Sequence, residues 1–281
     1  MRLIAVSSAT QTEWGLVEDN QLIQNAFTDS LNPSYQTRRE ISRCVRLGLP
    51  ETFFRKKLPC VHFYGKGCLS REKRSIVEAS LVAQFRTPVQ VESYLLGVAR
   101  SLFQSKAGIA CILDIDSESC LYNGSRIVTN VHPGGYILGD EGSGAALGRV
   151  FLSDVLKGLA PSHLISDFYE KFRINAEGVM ESVYNHPFPN RFLATIPYFL
   201  DDYMKEDYVL NLIRDNLRSF FVRHICQYDY RNYPVRFIGT QACHYAEFLQ
   251  ETAREFGIEP DTIAKTPMEG LVNFHSINDT D

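Results

Sequence analysis

The residues with the clearest chemical potential form a glycine-rich segment in the middle of the chain. It reads Gly134-Gly135-Tyr136-Ile137-Leu138-Gly139-Asp140-Glu141-Gly142-Ser143-Gly144 and leads into a helical pattern. Glycines permit tight turns and close ligand approach, and the N–H groups that begin a helix can contact a polar ligand. Asp140 and Glu141 would repel phosphate, whereas carboxylates accept hydrogen bonds from vicinal hydroxyls. The segment predicts a sugar site that needs no metal; two acids that merely cap a helix are the alternative.

A second candidate segment lies near the end of the chain. The residues 234–240 predict a strand that ends at Gly239, with Thr240 at the start of a helix. This layout lets a nucleotide approach the backbone closely. A plain tight turn produces the same pattern, so it stands as the alternative.

The elements that must position these segments follow a repeated pattern. Three short strands open the chain, and the same three-strand pattern returns from Gly108, which predicts an internal duplication. Strands are predicted at 3–6, 13–17, 21–26, 61–64, 88–91, 109–113, 119–122, 126–129 and 235–238. Helices are predicted at 36–47, 70–84, 94–105, 143–157, 175–185, 203–224 and 241–256.

This order predicts an α/β protein with two lobes, residues 1–105 and 106–281, around a cleft that holds the ligand. It also allows the final helix to pack back on the N-terminal lobe. The strands at 61–64 and 88–91 are expected to pair in parallel. The aromatic-rich stretches at 188–199 and 220–233 have the spacing of buried helix faces, so we expect them to pack in the core rather than to stack on a sugar.

Composition excludes several classes of protein. The chain has 281 residues, 44% hydrophobic and 22% charged, which argues against a disordered chain. A net charge of −4 gives no field that would attract nucleic acid. No apolar run is long enough to span a membrane, and the start lacks a signal-peptide pattern, so we expect a cytoplasmic protein. Seven cysteines without a CxxC pair predict free thiols and no metal site.

The chain resembles the N-acetylglucosamine kinases and the related activase-type ATPases of the actin, sugar-kinase and heat-shock-chaperone superfamily. Besides the glycine-rich segment, the resemblance is carried by Asn32-Pro33, 108–113, 187–193, 227–230 and 267–271, and it extends over essentially the whole chain. It implies a duplicated ribonuclease-H-like (actin-like) fold. It also implies ATP and Mg²⁺ as cofactors. Activase-type relatives hold an iron–sulfur cluster with paired cysteines, and this chain has no suitable pair.

The resemblance also assigns roles to individual residues. It implies an amino sugar held by Asn32, Gly134, Gly135, Asp140 and Glu141. It implies a nucleotide held by Ser8, Thr10, Ser117, Gly239 and Thr240. The family's general base, an Asp, is replaced here by Tyr94. A phenol, with an ordinary pKa near 10, is a poor proton acceptor at neutral pH. Glu92 lies two residues earlier, which we expect to place it on another face of the helix.

Both phosphate loops of the family are also altered. The first has an Asp and a Lys where this chain has Val6 and Gln11, so only hydroxyls and backbone remain to meet a phosphate. The second, Gly-Thr-Gly-Ser in the family, reads 114–119 here and places Asp114, Asp116 and Glu118 where the polyphosphate should lie. Each carboxylate opposes nucleotide binding unless Mg²⁺ or Ca²⁺ bridges it.

These changes favour a kinase-like protein that binds an N-acetyl amino sugar with impaired or absent phosphotransfer, and that binds ATP weakly. The alternative is an active ATP-dependent N-acetylglucosamine or N-acetylmuramic acid kinase with rearranged catalytic residues. An actin-like filament subunit is disfavoured because no segment has the character of a polymerisation surface. The sequence leaves a homodimer open and predicts neither nucleic acid nor membrane as a partner.

Overall fold

The computed structural model describes residues 1–278, which contain ten strands and thirteen α-helices. The strands are β1 (Arg2–Ser7), β2 (Gln11–Glu18), β3 (Gln21–Asp29), β4 (Val61–Gly65), β5 (Val89–Ser93), β6 (Ala107–Leu113), β7 (Ser117–Asn123), β8 (Ile127–Val131), β9 (Val235–Ile238) and β10 (Ile263–Ala264). The helices are α1 (Arg38–Gly48), α2 (Arg71–Phe85), α3 (Tyr94–Phe103), α4 (Gly135–Leu138), α5 (Gly144–Lys157), α6 (Ser162–Phe172), α7 (Ala176–Tyr184), α8 (Pro189–Leu193), α9 (Ile196–Leu200), α10 (Asp207–Arg223), α11 (Thr240–His244), α12 (Ala246–Glu255) and α13 (Met268–Asn278).

Contacts divide the chain into two compact units. Unit 1 comprises Met1–Ala110, Tyr122–Val128 and the described part of Thr266–Asp281. Unit 2 comprises Cys111–Leu121 and Thr129–Lys265. The last three residues of the predicted second lobe lie outside the described residues. The expectation of an α/β protein with two lobes is confirmed.

The first sheet has the strand order β3-β2-β1-β4-β5. β1 and β2 pair antiparallel, as do β2 and β3, which confirms the predicted opening meander. β4 pairs in parallel with both β1 and β5, again as predicted. β1 lies at the centre of the sheet, where Leu3, Ile4 and Ala5 are fully buried. A continuous apolar run is what a strand covered on both faces requires.

The second sheet repeats this order in the second half of the chain. Its order is β10-β9-β6-β7-β8, so three consecutive strands again form one side and two later strands continue from the first of them. The predicted internal duplication is therefore confirmed. The predicted turn at Asn123 closes the β7–β8 hairpin, where the Asn123 Oδ1 atom accepts hydrogen bonds from the amides of Ser125 and Arg126.

Two of the predicted helices have other boundaries in the structure. The predicted helix at 203–224 begins only at Asp207, after a short 3₁₀ turn, Asp201–Tyr203. The predicted helix at 241–256 is two helices, because the backbone leaves the helical conformation at Tyr245 (φ −108°, ψ 36°). The sequence did not predict α4, α6, α8 or α9. Among residues 1–278, none of the helices combines the length and apolar character that crossing a bilayer requires.

The aromatic core of unit 2 only partly follows the predicted helix faces. Phe199 is 1% exposed, and its ring lies 5.6 Å from that of Phe151 and 5.8 Å from that of Phe168, centroid to centroid. Phe220 is fully buried on α10. Phe188, however, is 47% exposed, so its predicted core position is wrong. The predicted helix face at 220–233 is also cut short, since α10 ends at Arg223 and a loop follows a short 3₁₀ turn.

The last helix of the chain, α13, packs within unit 1. Met268 and Leu271 are buried there, and His275 is 4% exposed. The His275 Nε2 atom lies 2.9 Å from the Tyr64 hydroxyl. The imidazole rings of His275 and His62 lie 3.9 Å apart between centroids, with their planes tilted by 33°. Burial, and after it the nearby His62 and arginines, lower the pKa of His275 to about 3.

This environment predicts an acid-sensitive contribution to stability. The folded pKa of His275 lies below the ordinary 6.5 of an unfolded histidine, so the unfolded state binds more protons as the pH falls from about 6.5 towards 3. The stability that His275 provides should be complete above that window and be lost within it. In urea unfolding, His275→Gln should be less stable than the unmodified protein near pH 7, by about 1 kcal/mol, and the difference should shrink or reverse towards pH 4.5.

A matched control is His186→Gln, which removes an exposed histidine of unit 2. It should change the free energy of unfolding by no more than about 0.5 kcal/mol at either pH. A difference between His275→Gln and the unmodified protein that stays constant from neutral to acid pH would contradict the assignment.

Candidate functional site

The carboxyl ends of three strands meet at one edge of the first sheet. In the parallel register, Ser7 of β1 faces Gly65 of β4, and Gly65 faces Ser93 of β5. The residues that follow, Ser8, Lys66 and Tyr94, therefore leave the sheet at the same edge. Ligands in open α/β sheets bind outside such carboxyl ends. We refer to this region of unit 1 as the unit 1 edge.

The predicted sugar contact Asn32 lies at the unit 1 edge. A methyl group added at Gly67, whose φ is +78°, would come within 2.0 Å of the Asn32 Oδ1 atom, so the turn after β4 packs directly on this side chain. The Oδ1 atom accepts a hydrogen bond from the Ser34 amide at 2.9 Å. The Lys73 ammonium donates to the carbonyl of Pro33 at 3.0 Å. Hydrogen bonds therefore fix both the Asn32 side chain and the carbonyl of the next residue, Pro33.

The first phosphate loop of the resemblance is a tight turn that uses its hydroxyls internally. The Ser8 hydroxyl donates to the carbonyl of Gln11 at 3.1 Å, and the Ser8 amide donates to the same oxygen at 2.9 Å. The Thr10 amide lies 3.4 Å from the Ser8 hydroxyl. Both predicted nucleotide contacts of this loop thus serve its own geometry.

Tyr94 begins α3 and is 5% exposed. The Ser93 side chain caps this helix by accepting from the Leu96 amide. The ammonium of Lys66 lies 5.4 Å from the centroid of the Tyr94 ring, which is a cation–π distance. A buried phenol against a cation thus lies at the position to which the resemblance assigns the family's carboxylate.

Glu92 is not on a helix, so that expectation is corrected. It lies on β5, and its carboxylate pairs with the guanidinium of Arg74 at 2.8 Å. The pairing supplies a better reason than helix geometry for doubting that Glu92 replaces the lost base.

Sequence reasoning missed Lys66. The sequence does show a lysine between two glycines directly after a predicted strand, a pattern that marks a turn. The parallel register of β4 with its neighbours was needed to bring it beside Tyr94.

In unit 2, the glycine-rich segment folds into a tight loop around Asp140. Asp140 is 4% exposed and adopts a left-handed backbone, with φ of +54°. Its amide donates to the carbonyl of Pro133 at 2.9 Å, and its carbonyl accepts from the Ser143 amide at 3.1 Å. A buried acid in this sparsely populated conformation is the kind of strain that collects at functional sites.

Glu141 faces a guanidinium and an imidazole at the end of α10. Its carboxylate lies 3.3 Å from the Arg223 Nε atom and 3.6 Å from the His224 Nε2 atom. Burial lowers the pKa of His224, and the neighbouring Glu141 opposes this shift. The His224 Nδ1 atom lies 3.2 Å from the hydroxyl of Ser119, so the imidazole bridges Glu141 to β7.

Gly134 and Glu141 both line a cavity of about 240 Å³ in unit 2. Its other polar lining groups are His132, Arg223, His224 and Gln227. Gly135 and Asp140, by contrast, are not among the lining residues. The predicted sugar contacts of unit 2 therefore divide into two at the cavity and two beside it.

The start of α5 has no free N–H groups for a ligand, which corrects a sequence-based expectation. The amides of Gly144 and Ala145 donate to the carbonyls of Asp114 and Ile115 at 2.9 and 3.2 Å. The amide of Ala146 donates to the Ser143 side chain. The 114–116 turn and the helix cap therefore consume the donors that we expected to bind a sugar.

The same turn adjoins the predicted nucleotide segment. A methyl group at Gly239 would lie 2.1 Å from the carbonyl oxygen of Leu113, and one at Gly144 would lie 2.9 Å from the Gln241 Oε1 atom. Thr240 begins α11 directly after Gly239. The structure thus brings Gly239, Thr240 and the loop that precedes Ser117 together.

Two buried polar atoms at this place lack a hydrogen-bond partner, the Ser117 Oγ atom and the Gln241 Nε2 atom. Such atoms are costly unless a ligand or a water satisfies them, so the segment fits a polar ligand such as a nucleotide. Within residues 1–278, no three His, Cys, Asp or Glu side chains are grouped so that they could hold a metal ion.

The contact between Gly239 and Leu113 generates a stability prediction. Gly239 has φ of +129°, where side chains are strongly disfavoured, and an added methyl group also meets a backbone carbonyl. Gly158→Ala is a matched control, because its φ is +67° and nothing lies within 4 Å of an added methyl group. We expect Gly158→Ala to cost about 1 kcal/mol and Gly239→Ala clearly more, by at least ~2 kcal/mol, in urea unfolding. Equal costs would show that the backbone relaxes away from Leu113.

Comparison with solved structures identifies relatives of this arrangement. A Porphyromonas gingivalis protein described as a "Putative N-acetylglucosamine Kinase" is 36% identical, with a TM-score of 0.95 over 99% of each chain. A Chromobacterium violaceum protein of the same description is 15% identical, with a TM-score of 0.73 over 97% of this chain and 98% of that one. A ROK family glucokinase from Streptomyces griseus, solved with glucose and AMPPNP, is 11% identical, with a TM-score of 0.63 over 98% of each chain. No family model and no curated protein matches the chain.

The two more distant structures bear on the fold alone, and they confirm the predicted actin-like architecture that the sugar kinases share. The Porphyromonas gingivalis protein is similar enough, over nearly the whole of both chains, to show the family. Its relationship agrees with the resemblance carried by the glycine-rich segment. The chain belongs to the N-acetylglucosamine kinase-like family of sugar kinases.

Proposed function

We propose that the protein binds an N-acetyl amino sugar and has little or no phosphotransferase activity. The observation that carries this proposal is the replacement of the general base by a side chain that is a poor proton acceptor. Tyr94 is buried there with its ring against Lys66, and Glu92 is paired with Arg74. Proton transfer from a sugar hydroxyl needs a base within hydrogen-bond reach, and the loss of a positioned base costs ~10²- to 10⁴-fold in rate.

The sugar-binding part of the proposal rests on Asn32 in unit 1 and on Asp140 and Glu141 in unit 2. Each is held by specific contacts of its own unit, and Glu141 lines a cavity with polar walls. Related sugar kinases include a glucokinase solved with glucose and AMPPNP. Each unit therefore supplies polar groups that its own contacts hold in place, although the groups that drive chemistry have changed.

Weak ATP binding is a further part of the proposal. Gly239 and Thr240 would hold the nucleotide, and the unsatisfied Ser117 and Gln241 side chains would supply polar contacts. ATP would bring the phosphoryl group to transfer. Asp114 and Asp116 in the adjoining turn oppose a polyphosphate, which makes affinity low. Because none of the described cysteines forms a disulfide, we also propose the cytoplasm as the compartment.

The second candidate function is an active N-acetylglucosamine or N-acetylmuramic acid kinase. One observation favours it: Lys66 places a positive charge at the unit 1 edge, although the first phosphate loop has lost its lysine. We do not extend either candidate to activase-type chemistry, because the chain lacks the paired cysteines of an iron–sulfur cluster.

Calorimetry tests the binding proposal. N-acetylglucosamine or N-acetylmuramic acid should give measurable heat with the unmodified protein. Asp140→Asn keeps the size of the side chain and tolerates the left-handed backbone, and it should weaken binding by about 1.5 to 3 kcal/mol because a charged acceptor is lost. Asp215→Ala, at an exposed acid on α10, should leave binding unchanged. Absence of heat with every amino sugar would refute the proposal.

Turnover separates the two candidate functions. ATP-dependent sugar phosphorylation by the unmodified protein should be undetectable or at least ~10²-fold below an active relative. Tyr94→Asp alone should recover little, because Val6 and Gln11 still replace the charges of the first loop. Adding Val6→Asp, Gln11→Lys and the return of Asp114 and Asp116 to glycine should recover more than the single changes combined.

The control for this series is Tyr94→Phe, which keeps the ring and should behave as the unmodified protein does. Robust turnover by the unmodified protein on any amino sugar would establish the active kinase instead.

A further inference from the structure

We infer that His224 is a positioning residue for Glu141. A buried chain of hydrogen bonds orients its imidazole so that the Nε2–H group faces the Glu141 carboxylate and holds that acceptor at the cavity of unit 2. The inference rests on the proposed function only for the ligand of the cavity, an N-acetyl amino sugar. The hydrogen-bond chain itself is made by groups of unit 2.

This hydrogen-bond chain connects two parts of the cavity wall. Val131, at the end of β8, and Glu141, in the glycine-rich segment, both line the cavity. Tyr228, Ser119 and His224 lie between them, and all three are buried. Away from water such hydrogen bonds are strong, and a buried group that loses its partner is costly. We therefore expect the chain to keep one arrangement.

The Val131 amide fixes the direction of the hydrogen-bond chain. This amide can only donate, and it donates to the Tyr228 hydroxyl oxygen at 2.8 Å. Tyr228 then donates to the Ser119 hydroxyl oxygen at 2.9 Å, and Ser119 donates to the His224 Nδ1 atom at 3.2 Å. Because Nδ1 accepts, the neutral imidazole carries its proton on Nε2.

The opposite direction is disfavoured at both ends of the hydrogen-bond chain. The Tyr228 proton would then have no acceptor among the described residues, since its oxygen would accept from both neighbours. At the other end, Nε2 would turn a lone pair rather than an N–H group towards the Glu141 carboxylate. Burial lowers the pKa of His224, although Glu141 opposes the shift, so the imidazole is neutral at neutral pH and has one ring proton.

His224 is the buried partner of Glu141. Its Nε2 atom lies 3.6 Å from the Glu141 Oε2 atom, which is the distance of an electrostatic contact rather than of a short hydrogen bond. The Arg223 Nε atom lies 3.3 Å from Oε1, but the Arg223 side chain is 67% exposed, and exposed ion pairs contribute little. The His224 side chain is 2% exposed, so solvent screens its contact with Glu141 far less. His224 is therefore the partner that fixes the carboxylate.

A carboxylate held in this way remains able to bind a sugar. Its two oxygens offer about four acceptor sites, so Glu141 can accept from ligand hydroxyls while it contacts His224. An acceptor that is oriented beforehand loses less conformational freedom on binding, which raises the affinity. The hydrogen-bond chain thus acts on the cavity, although Ser119 and Tyr228 are not among its lining residues.

NMR of the histidine side chains tests the hydrogen-bond chain without any ligand. Above neutral pH, long-range proton–nitrogen correlation should show His224 as the Nε2–H tautomer, with its ring signals assigned from its backbone. Ser119→Ala should shift the Nδ1 resonance of His224, and Glu141→Gln should shift the Nε2 resonance. Tyr228→Phe should also shift Nδ1, whereas the matched control Tyr184→Phe, at an exposed tyrosine of the same unit, should leave both resonances unchanged.

Calorimetry with N-acetylglucosamine tests whether the hydrogen-bond chain acts on the sugar through Glu141. Ser119→Ala and His224→Gln should each weaken binding by about threefold to tenfold. In the Glu141→Gln background, neither change should weaken binding by more than about twofold further, because the carboxylate that they position is absent. Ser119→Ala is the milder change and keeps the test available if His224→Gln does not fold.

The outcomes separate this inference from the proposed function. If N-acetylglucosamine gives no heat with the unmodified protein, the proposed function fails and the two resonances alone decide the inference; they also decide it if Glu141→Gln abolishes binding. An Nδ1–H tautomer, or resonances that Ser119→Ala and Glu141→Gln leave unchanged, would overturn the inference. Equal losses of affinity with and without the Glu141 carboxylate would overturn it as well, because a residue that only supports packing acts in that way.

Discussion

The parallel pairing of β4 with both β1 and β5 is the constraint on which unit 1 depends. It fixes Ser7, Gly65 and Ser93 in one row, so that the three segments leaving these strands must share one edge. Ser8, Lys66 and Tyr94, the residues that follow this row, are far apart in the sequence. Only the strand pairing brings them to the same edge. The central position of β1, buried on both faces, makes the pairing expensive to disturb, since its backbone amides and carbonyls would then lack partners away from water.

In unit 2, specific contacts hold the glycine-rich segment in place. The 114–116 turn receives the first amides of α5, and the hydrogen bond between the Asp140 amide and the Pro133 carbonyl closes the loop before it. His224 then joins Glu141 to β7 through Ser119. Turns, helix caps and side-chain bridges thus hold this segment, which has little regular secondary structure. They also fix the orientation of Asp140 and Glu141.

Local signals made much of the fold predictable. Both meanders, the parallel strands and the duplication follow from alternation, turn residues and repeated order. The break at Tyr245 and the exposure of Phe188 could not be predicted, because tertiary packing decides whether a helical pattern continues and which aromatic ring is covered. At the candidate site, the glycine-rich segment that the sequence singles out contains the buried, left-handed Asp140. The partners of Glu141 and the place of Lys66 depend on contacts between residues distant in sequence, which a pattern of neighbours does not contain.

The packing of α13 in unit 1 has a consequence for how the protein folds during its synthesis. Unit 1 is made mostly of the first 110 residues, yet Leu271 and His275 fill part of its interior. During synthesis, the ribosome releases those residues only after the whole of unit 2 has been made. The apolar surface of unit 1 that α13 covers therefore stays exposed through most of translation. Unit 2 can fold before unit 1 is complete.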